Sequence, residues 1–130
     1  VTRACFTATR STPYEITMMN FNETNEFAKA LKRLSKKYRS LPDDLLEFKK
    51  VITEFPLGSG KHFVILHSQE EIKILKARLF CRYLRGASLR IIYAYQEAKT
   101  TIDFIELYFK GEQVNENKQL IKEFLSQFSK

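Results

Sequence analysis

Leu75-Lys76-Ala77-Arg78-Leu79-Phe80-Cys81-Arg82-Tyr83 is the stretch on which the reading of this chain turns. Successive side chains of a strand point to opposite faces of a sheet. Leu75, Ala77, Leu79, Cys81 and Tyr83 then form a buried row, and Lys76, Arg78 and Arg82 a cationic row on the other face. Arg85 and Arg90 follow, and no acidic residue intervenes between Lys76 and Arg90. A cationic row held on a sheet is suited to gripping a polyanion.

Working toward the C-terminus, a basic strand is expected over Ile72–Leu84, then a turn around Arg85-Gly86-Ala87-Ser88. Leu89–Tyr95 and Ile102–Phe109 read as the next strands, separated by a turn at Gln96–Thr100. Short turns between consecutive strands make an antiparallel meander the simple topology. Arg90 alternates out of phase with Leu89, Ile91, Tyr93 and Tyr95, so it reaches the face of Lys76 and Arg78 if the pairing register allows. Tyr108 and Lys110 close the last strand. Two readings of this face stand side by side: a nucleic-acid surface, or a solvated, salt-bridged face with Glu106 as a counter-charge. Leu120, Ile121, Phe124, Leu125 and Phe128 recur at helical spacing and predict a helix near Asn115–Phe128.

Toward the N-terminus, Tyr14–Asn22 reads as a first strand. Asn22 or Thr24 then caps a helix. Phe27, Leu31, Leu34 and Tyr38 form its apolar stripe, and Lys29, Lys32, Arg33, Lys36, Lys37 and Arg39 its other side. Such a face is either solvated or used to hold an anion, with Lys32 and Lys36 as candidates. Ser40-Leu41-Pro42-Asp43-Asp44 is a turn into a second helix: Pro42 suits its first position, and the aspartates complement the positive end of its dipole. Leu45, Phe48, Ile52 and Phe55 supply its stripe, and the two helices are expected to form an antiparallel hairpin. Pro56–Gly60 breaks the pattern, and His62–His67 is a short apolar piece without an assigned structure. The order strand, helix, helix, strands, helix predicts an α+β fold, a sheet covered on one face by a helical hairpin.

The 130 residues suffice for one domain with one core. A single domain is expected over 13–130, with 1–12 as a flexible N-terminal extension. The net charge of +7 points to nucleic acid, the ribosome, an anionic membrane surface or an acidic protein, without choosing among them. Cys5 and Cys81 make neither a disulfide framework nor a zinc site, so a reduced, cytoplasmic protein is expected. No apolar run approaches the ~20 residues of a membrane span. Gly58-Ser59-Gly60-Lys61 resembles a phosphate loop only in part: the earlier glycine and the hydroxyl residue after lysine are missing, and a helix precedes it. Lys61 is better read as a partner contact on a turn. His62 and His67 have no ligand cluster around them. No cofactor or metal is expected.

Several strings resemble the RelE/ParE superfamily of type II toxin–antitoxin toxins: Phe21-Asn22-Glu23-Thr24-Asn25-Glu26-Phe27, Leu31-Lys32-Arg33-Leu34, Lys36-Lys37-Tyr38, Lys76-Ala77-Arg78, Leu89-Arg90-Ile91-Ile92-Tyr93 and Phe104-Ile105-Glu106-Leu107-Tyr108-Phe109-Lys110. The resemblance runs from about Met18 to the C-terminus. It implies a small twisted antiparallel sheet on a helical hairpin, with a C-terminal helix. For a RelE-like member it implies a ribosome-dependent messenger-RNA endoribonuclease, in which the RNA's own 2′-hydroxyl attacks the phosphate and no metal is needed. By that resemblance Lys76 and Arg78 are the paired basic positions, Arg90 grips the scissile phosphate, and Tyr108 and Lys110 form the end of the last strand. Lys61, Arg82, Arg85, Lys32 and Lys36 are the further RNA-binding candidates. Phe109 stands where many relatives carry the histidine of a Tyr-His-Lys string. The implied partner is an acidic, partly disordered antitoxin. ParE-like members of the same fold inhibit DNA gyrase, and a catalytically inactive RNA- or protein-binding member is the other alternative.

Overall fold

A computed structural model describes residues 19–58, 62–84 and 88–127. The expected extension 1–12, Cys5, the first part of the predicted strand (Tyr14, Ile16, Met18), Lys61, the turn residues Arg85-Gly86-Ala87, and Phe128 lie outside the described residues.

The fold is α+β. The elements run β1 (Asn20–Glu23), α1 (Asn25–Lys37), α2 (Leu41–Glu54), β2 (Phe63–Ser68), β3 (Lys73–Phe80), β4 (Ser88–Gln96), β5 (Thr101–Phe109) and α3 (Lys118–Ser126). Five strands form one sheet in the order β1-β5-β4-β3-β2. The apolar piece His62–His67, left unassigned above, supplies β2. Strands β2 to β5 make the expected antiparallel meander, but β1 pairs with β5 in parallel, so the sheet is mixed. The reason is the path of the chain: two helices separate β1 from the meander, and β1 fills the free edge of β5 rather than joining β2.

Each helix starts where side-chain chemistry allows. Thr24 caps α1, its Oγ1 accepting the Phe27 N–H at 3.2 Å. The same hydroxyl donates to the Ile105 carbonyl at 3.0 Å, tying the start of α1 to β5. α2 begins at Leu41 with Pro42 in its first turn. Asn117 caps α3 through its side-chain oxygen.

The main core joins Phe27 and Leu34 of α1 and Leu41, Leu45, Phe48 and Ile52 of α2 to Leu75, Ala77, Leu79, Leu89, Ile91, Tyr93, Phe104 and Leu107 of the sheet. A second cluster lies on the other face, where Phe124 of α3, with Leu120, Ile121 and Leu125 alongside, meets Ile72, Ile74, Ile92, Ala94 and Ile105. The sequence pattern placed apolar cover on one face only; α3 adds partial cover to the second.

Two expectations for the basic strand are corrected. Strand β3 stops at Phe80, and a 3-10 turn (Arg82–Leu84) follows. Alternation lapses there, so Tyr83, expected in the core, is 56% exposed. Arg82 leaves the cationic row: its Nε donates to Asp44 Oδ1 of α2 at 3.0 Å. Asp44 is buried and also accepts the Arg82 N–H (3.1 Å) and the Ser40 hydroxyl (2.7 Å). Burial alone would raise the Asp44 pKa, but these donors outweigh it and hold the carboxyl below its ordinary range.

Two outcomes follow from these contacts. Thr24→Ala should lower stability by about 1–2 kcal/mol in urea melts, because it removes a helix cap and a stitch to β5, while Thr24→Ser, which keeps the hydroxyl, should retain most of the stability. Asp44→Ala should cost about 2–3 kcal/mol at neutral pH. Because the folded-state pKa of Asp44 is depressed, its contribution is present above the unfolded carboxylate range and fades as pH falls through the folded value. Melts taken from neutral pH into acid should therefore show a shallower loss for Asp44→Ala than for the parent chain.

Candidate RNA-binding face of the sheet

The strand register brings the predicted residues to one level. Arg78 of β3 pairs with Arg90 of β4, and Arg90 pairs with Tyr108 of β5. Their sequence neighbours Leu79, Leu89 and Leu107 pack in the main core. Alternation therefore aims Arg78, Arg90 and Tyr108 at the opposite face. One level along, Lys76 pairs with Ile92, which pairs with Glu106.

A β-bulge makes this alignment possible. Tyr93 pairs with Phe104 and Ile92 with Glu106, which leaves Ile105 as the extra residue. Phe104 faces the helical core, while Ile105 joins the cluster under α3. Strict alternation from Phe104 would have aimed Glu106 and Tyr108 into the helical core. The extra residue turns both to the face of Arg90, and Leu107 takes the core position instead.

The environments of these groups differ. Arg78 is exposed and has no side-chain hydrogen bond or ion pair among the described residues. Arg90 is half-buried, and its Nη1 donates to Ser88 Oγ at 2.8 Å and to the Ser88 carbonyl at 3.4 Å, a neutral partner, and no carboxylate pairs with it among the described residues. Lys76 Nζ lies 3.0 Å from Glu116 Oε1, a half-buried ion pair. Burial would lower the Lys76 pKa, but the pairing with Glu116 and the neighbouring Tyr108 raise it. Tyr108 is 3% exposed; the Lys76 ammonium faces its hydroxyl, which meets no acceptor for its own proton among the described residues. Burial raises its pKa; the Lys76 charge opposes this and does not prevail. The phenol thus stays protonated at neutral pH and is fitted to donate a proton or a hydrogen bond.

Other predicted residues are not brought to this group. Lys110 is exposed in the turn after β5. Lys32 and Lys36 are exposed on α1, whose apolar face packs into the helical core on the other side of the sheet. On the same helix, Arg33 and Lys37 both approach Glu112, each at 3.5 Å. Arg82 is held by Asp44, and Lys61 and Arg85 lie outside the described residues. Phe109, at the position of the family histidine, packs toward the helices, with its ring 6.1 Å from that of Tyr38. Gly58 adopts a left-handed φ of 78° after a helix, in a turn unlike a strand–loop–helix phosphate site.

Pattern reading missed the segment that borders the face. Glu106, the counter-charge expected of a salt-bridged face, instead has a buried carboxylate that accepts from Gln113 Nε2 (2.6 Å) and the Asn117 backbone N–H (2.8 Å). Glu116, unremarkable in a polar stretch, is the real partner of Lys76. The visible signal was only Asn117 as a cap preceding an apolar-periodic run. No group of three or more metal-ligating side chains exists among the described residues, and no helix there is long and apolar enough to cross a membrane.

No protein-family model and no curated protein matches the chain. A chain in the crystal structure of the archaeal RelE–RelB complex from Pyrococcus horikoshii matches in structure, with 22% sequence identity and a TM-score of 0.55. The match covers 72% of this chain and 96% of that one. The agreement shows a RelE-like fold, as the sequence strings implied.

Glu106→Ala should release the segment before α3. Amide exchange at Asn117–Leu120 should accelerate by at least tenfold, and global stability should fall by about 1–3 kcal/mol in the same samples. Unchanged exchange at those amides would show that Glu106 does not anchor α3. This chain is a mixed-sheet α+β protein with a RelE-like fold.

Proposed function

We propose that this chain is a RelE-like toxin: an endoribonuclease that cuts messenger RNA on the ribosome in the cytoplasm and is neutralised by an acidic antitoxin. The observation that carries the reading is the single register level shared by Arg78, Arg90 and Tyr108 on three adjacent strands. Two guanidinium groups at one level can hold both non-bridging oxygens of a phosphodiester through planar forks of donors. They also stabilise the charge that grows as the 2′-oxygen forms its bond to phosphorus. The P–O5′ bond breaks as the 2′-hydroxyl gives up its proton to water; Tyr108 supplies the proton that the leaving 5′-oxygen takes up and regains one from solvent. The RNA carries its own nucleophile, so no metal or cofactor is invoked. Lys76 adds charge beside Tyr108, and Lys110, Arg85, Lys61, Lys32 and Lys36 serve as outer contacts to RNA or ribosome. The RelB partner named for the structural neighbour supports an antitoxin for this chain, and the excess of cations suits an acidic one.

One observation favours a second reading, in which the chain poisons a protein such as DNA gyrase or binds RNA without cutting it. Phe109 replaces the family histidine and faces the helices.

Primer extension on a messenger RNA incubated with the protein, with and without ribosomes, separates these readings. Ribosome-dependent cuts should appear and fall by about 10²–10³-fold with Arg90→Ala, the scale of losing one oxyanion-stabilising donor. Arg90→Lys should restore only part, because lysine lacks the fork. Growth arrest that persists with Arg90→Ala and without cuts would favour the gyrase-type reading.

A further inference from the structure

The basic face is divided. Arg78 and Arg90 have no carboxylate partner among the described residues, whereas Lys76 and Tyr108 lie under residues 113–117 of the same chain. That segment is irregular and is tied down at three points. Gln113 and Asn117 both donate to the buried Glu106, and Glu116 reaches Lys76 at 3.0 Å, with the two side chains only 14% and 24% exposed. The Tyr108 hydroxyl is left without an acceptor beside this ion pair. A buried hydroxyl whose proton has no acceptor is costly and unusual in a finished structure.

We propose that residues 113–117 form a strap over the basic face, in which the Glu116 carboxylate occupies the position on Lys76 that an RNA phosphate takes when the strap opens. This rests on the reading of the face as an RNA-binding surface. A carboxylate and a phosphodiester are both anions with paired oxygens, and they compete for one ammonium group. The exchange is electrically balanced: Lys76 keeps an anionic partner, and Glu116 gains water. A phosphate oxygen on Lys76 would also give Tyr108 the acceptor it lacks. The strap has no regular structure of its own to unfold, and it joins β5 to α3 through exposed residues. It therefore sets a threshold: a polyanion that also engages Arg78 and Arg90 can displace Glu116, while an isolated anion cannot. A role for Glu116 as general base fits less well, since its ion pair keeps the carboxyl below its ordinary range and weakens it as a proton acceptor at neutral pH.

The test is Glu116→Gln in the full chain, read by fluorescence anisotropy with a labelled single-stranded oligoribonucleotide across a salt series, and by the ribosome-dependent cleavage assay. The strap predicts about three- to tenfold tighter binding and a salt slope steeper by about one, since Lys76 becomes a new phosphate contact. Glu116→Ala should move both in the same direction, which guards against an effect peculiar to the amide. In the Lys76→Ala background the gain from Glu116→Gln should vanish. Unchanged affinity and slope with Glu116→Gln, while Arg90→Ala still weakens binding, would overturn the strap and leave the RNA face standing. Loss of cleavage with binding retained would overturn it in favour of a catalytic carboxylate. Binding indifferent to both Glu116→Gln and Arg90→Ala would remove the RNA face itself.

Discussion

One extra residue in β5 carries the arrangement. Ile105 interrupts the pairing with β4, so Phe104 and Leu107 both face the helical core while Glu106 and Tyr108 turn outward. The bulge is secured from outside the sheet, because its carbonyl accepts the Thr24 hydroxyl that also caps α1. One threonine thus links helix initiation to the phase of the strand that bears Tyr108. Bulges recur beside functional sites because they re-aim side chains without breaking the sheet.

The distribution of charge has a comparable logic. Of the basic strand's cations, Arg82 serves the fold: with Ser40 it satisfies the buried Asp44 and joins the end of β3 to the start of α2. Arg33 and Lys37 share Glu112, in the turn that follows β5. The guanidinium groups of Arg78 and Arg90 have no such employment among the described residues, although they sit at one level of a sheet whose other side is a packed core. Rigidity behind a pair of uncompensated charges is the property a phosphate grip needs.

Similarity in fold to a chain of a RelE–RelB complex agrees with the resemblance carried by the sequence strings, but a fold hosts many activities. The nuclease reading rests on the site: two arginines and a protonated phenol on adjacent strands. The departure at Phe109 has a geometric side as well. Its side chain belongs to the helical layer, so in the proposed nuclease the proton-transfer role is assigned to Tyr108 rather than to the residue after it.

Much was legible in the sequence because it depends on local rules. Apolar spacing marked the three helices, Asn22 or Thr24 and Pro42 marked the starts of two of them, period-two alternation marked β3 and β4, and β-forming residues between turns marked β5. Alternation also separated Arg78 and Arg90 from the core. Decisions between distant segments were not legible. The parallel pairing of β1 with β5, the end of β3 before Arg82, the bulge at Ile105 and the pairing of Lys76 with Glu116 each depend on which backbone groups and charges meet across the fold. Periodicity records which face a residue prefers. Register, bulges and counter-charges are set by partners far away in the chain, and only the tertiary structure brings those together.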